Sequence, residues 1–165
     1  MRGPSVFLCL ILTYAITGCY SFRGGSVPAN IKSVAIPVAS DQSGYGNATL
    51  RETMTTLLVQ KFTRDNSLQV ADKTAADAVL QTVITGVASV STAIGPNQRA
   101  TLQRLTISAK ATFDDIRKHK TLWEKTFSNW ADYDPSGDSR ARDDALSAAL
   151  DKITDDILLE AVARW

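Results

Sequence analysis

The residue in this chain with the clearest chemistry is a cysteine at the end of a short apolar run. Cys19 follows Ile16-Thr17-Gly18, which closes an apolar stretch beginning at Val6, and Met1-Arg2 supplies a short positive start. A charged start, an apolar stretch too short to span a bilayer and small residues before the cut are the parts of a secretory signal peptide. With a Cys directly after Thr-Gly, the cleavage site resembles a bacterial lipobox. There the thiol takes a diacylglycerol and the freed amino group an acyl chain. Residues 1–18 are accordingly read as a lipoprotein signal peptide, and 19–30 as a lipidated tether. Several acyl chains give stable anchoring, since each buried methylene contributes about 0.8 kcal/mol. An ordinary signal peptide with a chance cysteine is the alternative. The residue after Cys19 is Tyr20 rather than Asp, which under enterobacterial sorting rules points to the outer membrane.

Little else could do covalent chemistry. Cys9 lies in the leader, so acylation of Cys19 leaves no thiol for a disulfide, a metal or a nucleophile. The single histidine, His119, falls on an expected turn among Arg117, Lys118 and Lys120. Asp114-Asp115 reads as part of that turn. Asp143-Asp144 and Asp155-Asp156 read as the polar face of a helix. Gly44-Tyr45-Gly46 is too short to be a phosphate loop. The expectation is a protein that is not an enzyme, with no metal and no cofactor. Without residues 1–18 the chain has 147 residues, 17 of them basic and 17 acidic, because Arg2 is the leader's only charge. That balance lacks the basicity of a nucleic-acid binder. The length suffices for one domain with a real core. No later segment is long and apolar enough to cross a bilayer as a helix.

The elements that must position any functional side chain are legible from periodicity. Gly24-Gly25 and Pro28 keep residues 20–30 irregular. Ile31 to Val38 alternates, with Val34, Ile36 and Val38 on one side, as in a strand. Pro37, lacking an N–H, predicts an edge or bulge within it. Asn47 is a plausible N-cap for a helix from Ala48 to Arg64, with Leu50, Met54, Leu57, Leu58, the stem of Lys61 and Phe62 on one side and Asn66 at its end. Leu68 to Val70 reads as a short strand. Ala78 to Val90 is apolar in both parities, Val79, Val83 and Val87 on one and Leu80, Ile84 and Val90 on the other, which predicts a central strand covered on both faces. Small polar residues, Thr82, Thr85 and Ser89, are expected on its open side. Thr101 to Phe113 alternates cleanly, with Leu105, Ile107, Ala109, Ala111 and Phe113 on one face and Arg104, Thr106, Ser108, Lys110 and Thr112 on the other. Leu122 to Trp130 returns as the last strand. A final helix runs from about Ser139 to Arg164, with Leu146, Ala149, Leu150, Ile153, Ile157 and Ala161 as its apolar stripe. Two one-sided helices and these strands predict an α+β fold, with both helices packed on one face of a mixed, mostly antiparallel sheet of four to five strands.

In this order and at this length the chain resembles the LptE-like lipopolysaccharide-assembly lipoproteins. The resemblance lies in the lipobox followed by Tyr20-Ser21-Phe22, in Ile31-Lys32-Ser33-Val34-Ala35-Ile36-Pro37-Val38 and in the Asn47-to-Phe62 helix. Ala76-Asp77-Ala78-Val79-Leu80 and Thr121-Leu122-Trp123-Glu124 complete it. It covers the whole mature chain, and makes 31–165 a single LptE-like domain. It implies a plug inside a large outer-membrane β-barrel of the LptD type, help with that barrel's assembly, and assistance in delivering lipopolysaccharide to the outer leaflet. The expected location is the periplasmic side of the outer membrane, held by the lipid anchor. Two other lipoprotein roles are open: a regulator of a periplasmic cell-wall enzyme, and an auxiliary protein of a phospholipid transporter. Only about eleven residues separate Cys19 from Ile31, a reach of ~36–40 Å, which keeps the domain near its membrane rather than beside a distant enzyme.

Within that frame two groups of residues stand out. Arg99, Arg104, Lys110, Arg117, Lys118 and Lys120 border the long hairpin and its far turn. Lipid A phosphates need several convergent donors, and Arg binds phosphate bidentately, so these six are candidate lipopolysaccharide contacts; solvated charges at a turn are the simpler reading. The uncharged run from Ala78 to Gln98 makes Val83, Val87 and Ile94, with Trp130, a candidate interface with the barrel wall; a covered central strand is the alternative. Trp123 and Phe127 read as core, and Trp130 has the opposite parity.

Overall fold

The computed structural model describes residues 30–94 and 100–163. In chain order the elements are β1 (Ser33–Ala35), β2 (Ser40–Asp41), α1 (Leu50–Asp65), β3 (Gln69–Val70), β4 (Ala78–Ile94), β5 (Ala100–Asp115), β6 (Lys120–Tyr133) and α2 (Ser139–Ala163). The strands form one sheet in the order β3-β1-β4-β5-β6, with β2 also beside β4. β1, β2 and β3 pair in parallel, and the long strands β4, β5 and β6 pair antiparallel. This is the expected α+β fold with a mixed, mostly antiparallel sheet, but with six strands rather than four to five.

The extra strand has a local cause. The expected first strand is split at Ile36-Pro37-Val38-Ala39. Ala35 lies opposite Val79 and Ser40 opposite Val83, so five residues on the split strand face four on β4. That is the register of a bulge, placed where Pro37 has no N–H to pair. The bulge also reverses which side chains point inward. Val34 is buried as expected, but Val38 is 68% exposed and Ala39 takes the buried position.

α1 buries Leu50, Met54, Leu58 and Phe62 at a spacing of four, one stripe of an amphipathic helix. Asn47 is not its N-cap. Thr49 is, and Asn47 instead accepts the Thr49 N–H and hydroxyl at 3.0 and 2.8 Å in a turn just before the helix. Asn66 ends it with φ of 59° and an N–H to the Phe62 carbonyl, the left-handed cap that asparagine tolerates. Asp138 caps the start of α2, its carboxylate accepting the Arg140 and Ala141 amides at 2.9 and 3.3 Å. It buries Leu146, Ala149, Leu150, Ile153, Ile157 and Ala161. Lys61 of α1 lies 2.7 Å from Asp151 and 2.6 Å from Asp155 of α2 and seals the seam between the helices.

The covered sheet face carries Leu105, Ile107, Ala109, Ala111 and Phe113, all fully buried. Phe113 stacks on Trp123 at 5.7 Å between centroids, and Trp123 meets Phe127 edge-on at 6.2 Å. Thr82 points into this core beside Leu80 and Ile84, not to the open side as its polarity suggested, and its hydroxyl finds no hydrogen-bond partner among the described residues. β4 is longer than expected and is covered only along its first half. As far as Ile84 it has neighbours on both sides. From Ala88 to Thr92 it is exposed.

Candidate functional site

The open face of β4, β5 and β6 carries few charges, and two ion pairs hold most of them. Arg104 donates to Asp132 through Nε and Nη2 at 2.8 and 2.9 Å and lies 3.4 Å over the Trp130 ring. Lys110 pairs with Glu124 at 2.8 Å. The Arg104 guanidinium holds the Asp132 carboxyl below its usual range, and Lys110 does the same for Glu124. Six strand positions separate Arg104 from Lys110, roughly 20 Å. Between the two ion pairs the face carries Trp130 opposite Thr106, then Ser108 and Ser128, whose hydroxyls lie 3.2 Å apart.

The other expected cations sit elsewhere. Arg117, Lys118 and Lys120 crown the β5–β6 turn and are exposed. Two buried carboxylates lie behind them. Asp77 accepts the Lys32 amide at 2.9 Å and the Ser33 amide and hydroxyl at 3.2 and 3.0 Å, and pairs with Arg117. Asp115 accepts the Lys118 amide at 2.9 Å and the Asn30 side-chain amide at 3.1 Å, with the Lys118 ammonium 3.8 Å away. The Lys32 amide, ahead of Ser33 and the Arg117 charge, holds the Asp77 carboxyl below its usual value although burial opposes it. For Asp115 the Lys118 amide comes first, then Asn30. The two carboxylates therefore clamp the basic turn onto the start of the domain at Asn30-Lys32-Ser33. Lys120 has no ion-pair partner among the described residues. Arg99 lies outside the described residues. The five described cations thus divide between the open face and the turn, and no single cluster unites them.

The apolar candidates divide too. β4 shifts register between Ile84 and Gly86, so Val83 lies opposite Lys110 on the open side while Val87 lies opposite Ile107 and packs against the core. The expected shared parity of Val79, Val83 and Val87 ends at this bulge. Gly86, a glycine inside a strand, was the available signal. Ile94 closes β4, but its side chain lies outside the described ones. Trp130 is 42% exposed on the open face. The alternation also undervalued Val90, 57% exposed. The buried Asp77 and Asp115 were missed as well; an Asp between Ala76 and Ala78 was the sequence hint for the first.

Among the described residues no group of three His, Cys, Asp or Glu side chains could hold a metal ion, and no helix is long and apolar enough to cross a membrane. The chain belongs to the LptE family, described as lipopolysaccharide-assembly, whose family model matches residues 31–160. No curated protein is significantly similar in sequence. Solved structures share the fold at low identity. Protein XCC0632 from Xanthomonas campestris is 14% identical with a TM-score of 0.61, covering 81% of this chain and 87% of that one. A PelC dodecamer from Paraburkholderia phytofirmans is 14% identical with a TM-score of 0.57, covering 86% and 95%. The rare lipoprotein B from Shewanella oneidensis is 17% identical with a TM-score of 0.55, covering 78% and 92%.

Proposed function

We propose that this protein is a lipid-anchored component of the outer membrane's lipopolysaccharide-assembly machinery. It plugs and helps assemble an LptD-type β-barrel and assists lipopolysaccharide on its way to the outer leaflet. The observation that carries the reading is the family match across essentially the whole described domain. The Ile16-Thr17-Gly18-Cys19 stretch supports the anchor, and the uncovered, charge-paired sheet face supports a role by fit rather than by catalysis. The action is steric and electrostatic: the domain fills a lumen and presents polar and basic groups to the passing glycolipid.

Within that action Lys120 at the turn is the cation freest to meet lipid A phosphates. Arg104 and Lys110 would have to leave Asp132 and Glu124 first, and Arg117 and Lys118 would have to leave Asp77 and Asp115, whereas Lys120 has no ion-pair partner among the described residues. Co-purification of the lipidated chain from detergent-solubilised membranes tests the reading. Recovery with a heat-modifiable barrel supports it, and recovery with a murein synthase overturns it. In a lipopolysaccharide pull-down, joint replacement of Arg117, Lys118 and Lys120 by Ala is expected to weaken binding more than replacement of Lys110. Equal binding by both variants would remove the turn from the mechanism.

A further inference from the structure

We propose that the free edge of β4 beyond Ile84 is a strand-addition site, which accepts an extended, uncharged segment of the barrel partner's polypeptide. The inference rests on the functional reading above and deepens it by naming the docking element and the kind of segment it takes.

The argument begins with backbone pairing. Up to Ile84, β4 has β1 and β2 on one side and β5 on the other, and the Gln42 amide still donates to the Ile84 carbonyl at 2.8 Å. From Gly86 onward, among the described residues, only β5 pairs with it. A strand directs its N–H and C=O groups alternately to its two sides, so the groups on one side of Gly86–Ile94 face no neighbour there among the described residues. Such a row is a template for another backbone, and natural proteins guard it with charge, proline or a covering element.

The sheet's other long edge is guarded in this way. β6 carries Lys125 paired with Glu160 of α2, and the Lys152 ammonium of α2 hydrogen-bonds to the Trp130 carbonyl at 2.8 Å. The β4 edge is not. No charged residue occurs from Ala78 to Gln98. Gly86, Ala88, Ser89 and Ser91 are small, which lets a second backbone approach, and Val90, 57% exposed, offers an apolar contact. The regular stretch from Gly86 to Ser91 keeps continuous register with β5. Backbone pairing supplies affinity, and the alternating side chains supply selection. A charged incoming strand would lose water against Val90 with no counter-charge on this edge, so the segment that fits is uncharged.

The test uses the full chain in cells, with a photocrosslinking residue at Ala88 and, as control, at Thr126 on β6. The expected result is a crosslink from Ala88, and not from Thr126, to an extended uncharged segment of the co-purifying barrel. Ala88→Lys combined with Val90→Lys is expected to lower barrel recovery at least tenfold, with Thr126→Lys leaving it unchanged and all variants melting like the wild type. Should the double variant unfold, the crosslink on the otherwise unaltered chain still decides. Normal barrel recovery without an Ala88 crosslink overturns the inference alone, as does a crosslink from Ala88 to a second copy of this chain. Absence of any barrel from the wild-type complex overturns the functional reading and this inference with it.

Discussion

Asp77 is the side chain on which the basic end of the domain depends. Its carboxylate, 5% exposed, receives two backbone amides and a hydroxyl from β1 and faces Arg117 of the β5–β6 turn. Removing it leaves those donors without an acceptor, and hydrogen bonds to a charged group are the costly ones to lose. Asp77→Ala is expected to destabilise by about 3 kcal/mol, measured by urea unfolding. The pH dependence follows from sign. The folded values of Asp77 and Asp115 lie below the ordinary carboxylate value, so their contribution is present above the unfolded value, about 3.9. It is lost as pH falls through the lowered folded values. The difference in melting temperature between wild type and Asp77→Asn should therefore be largest near neutrality and narrow below about pH 4. Thr82 presents the opposite case, a buried hydroxyl without a partner among the described residues. Thr82→Val is expected to stabilise by about 1 kcal/mol, and a lowered melting temperature would refute that account of the site.

At the scale of elements, α2 does most to cover the long hairpin. Leu150 and Ile153 are fully buried between α1 and the sheet. Leu150→Ala is expected to cost about 2–5 kcal/mol, because close-packed neighbours relax only partly into the space left behind. Thermal unfolding followed by circular dichroism measures it. The period-two face of β5 and the stripes of α1 and α2 were plain in the sequence, because each buries one side against one core. β4 was legible only in part. Its absence of charge marked it as unusual, yet periodicity could not distinguish a strand covered on both faces from one that leaves the sheet as an open edge. The bulges at Pro37 and Gly86 reversed the parity of Val38 and Val87. Each was hinted at by its residue type, but the direction of the side chains after it depended on the partner strand's register.

For the whole molecule, the topology sets direction. β1 and β4 run parallel from the end where the described chain begins, the β5–β6 turn is clamped to that same end, and the β4–β5 hairpin runs the other way. Over a strand of 17 residues that is roughly 55 Å. With an anchor at Cys19, the domain would hold its basic turn toward the tether and extend the hairpin away from it. Mass spectrometry of the native N-terminus is expected to find an acylated Cys19, and Cys19→Ala is expected to release the protein from membranes washed in buffer alone. Retention of that variant would remove the anchor from the proposed function.

The amino-acid order by itself determined the helices, the long strands, the buried side of β5 and of each helix, and the likeness to a family. All of these are written in local periodicity or in the neighbourhood of one residue. Tertiary structure alone decided that Arg104 and Lys110 are matched by Asp132 and Glu124, that two distant aspartates fasten the basic turn to the start of the domain, and that β4 loses its neighbour halfway along. Each of those depends on which strands become neighbours and in what register, a choice made by burying one shared core and invisible within any short stretch of chain.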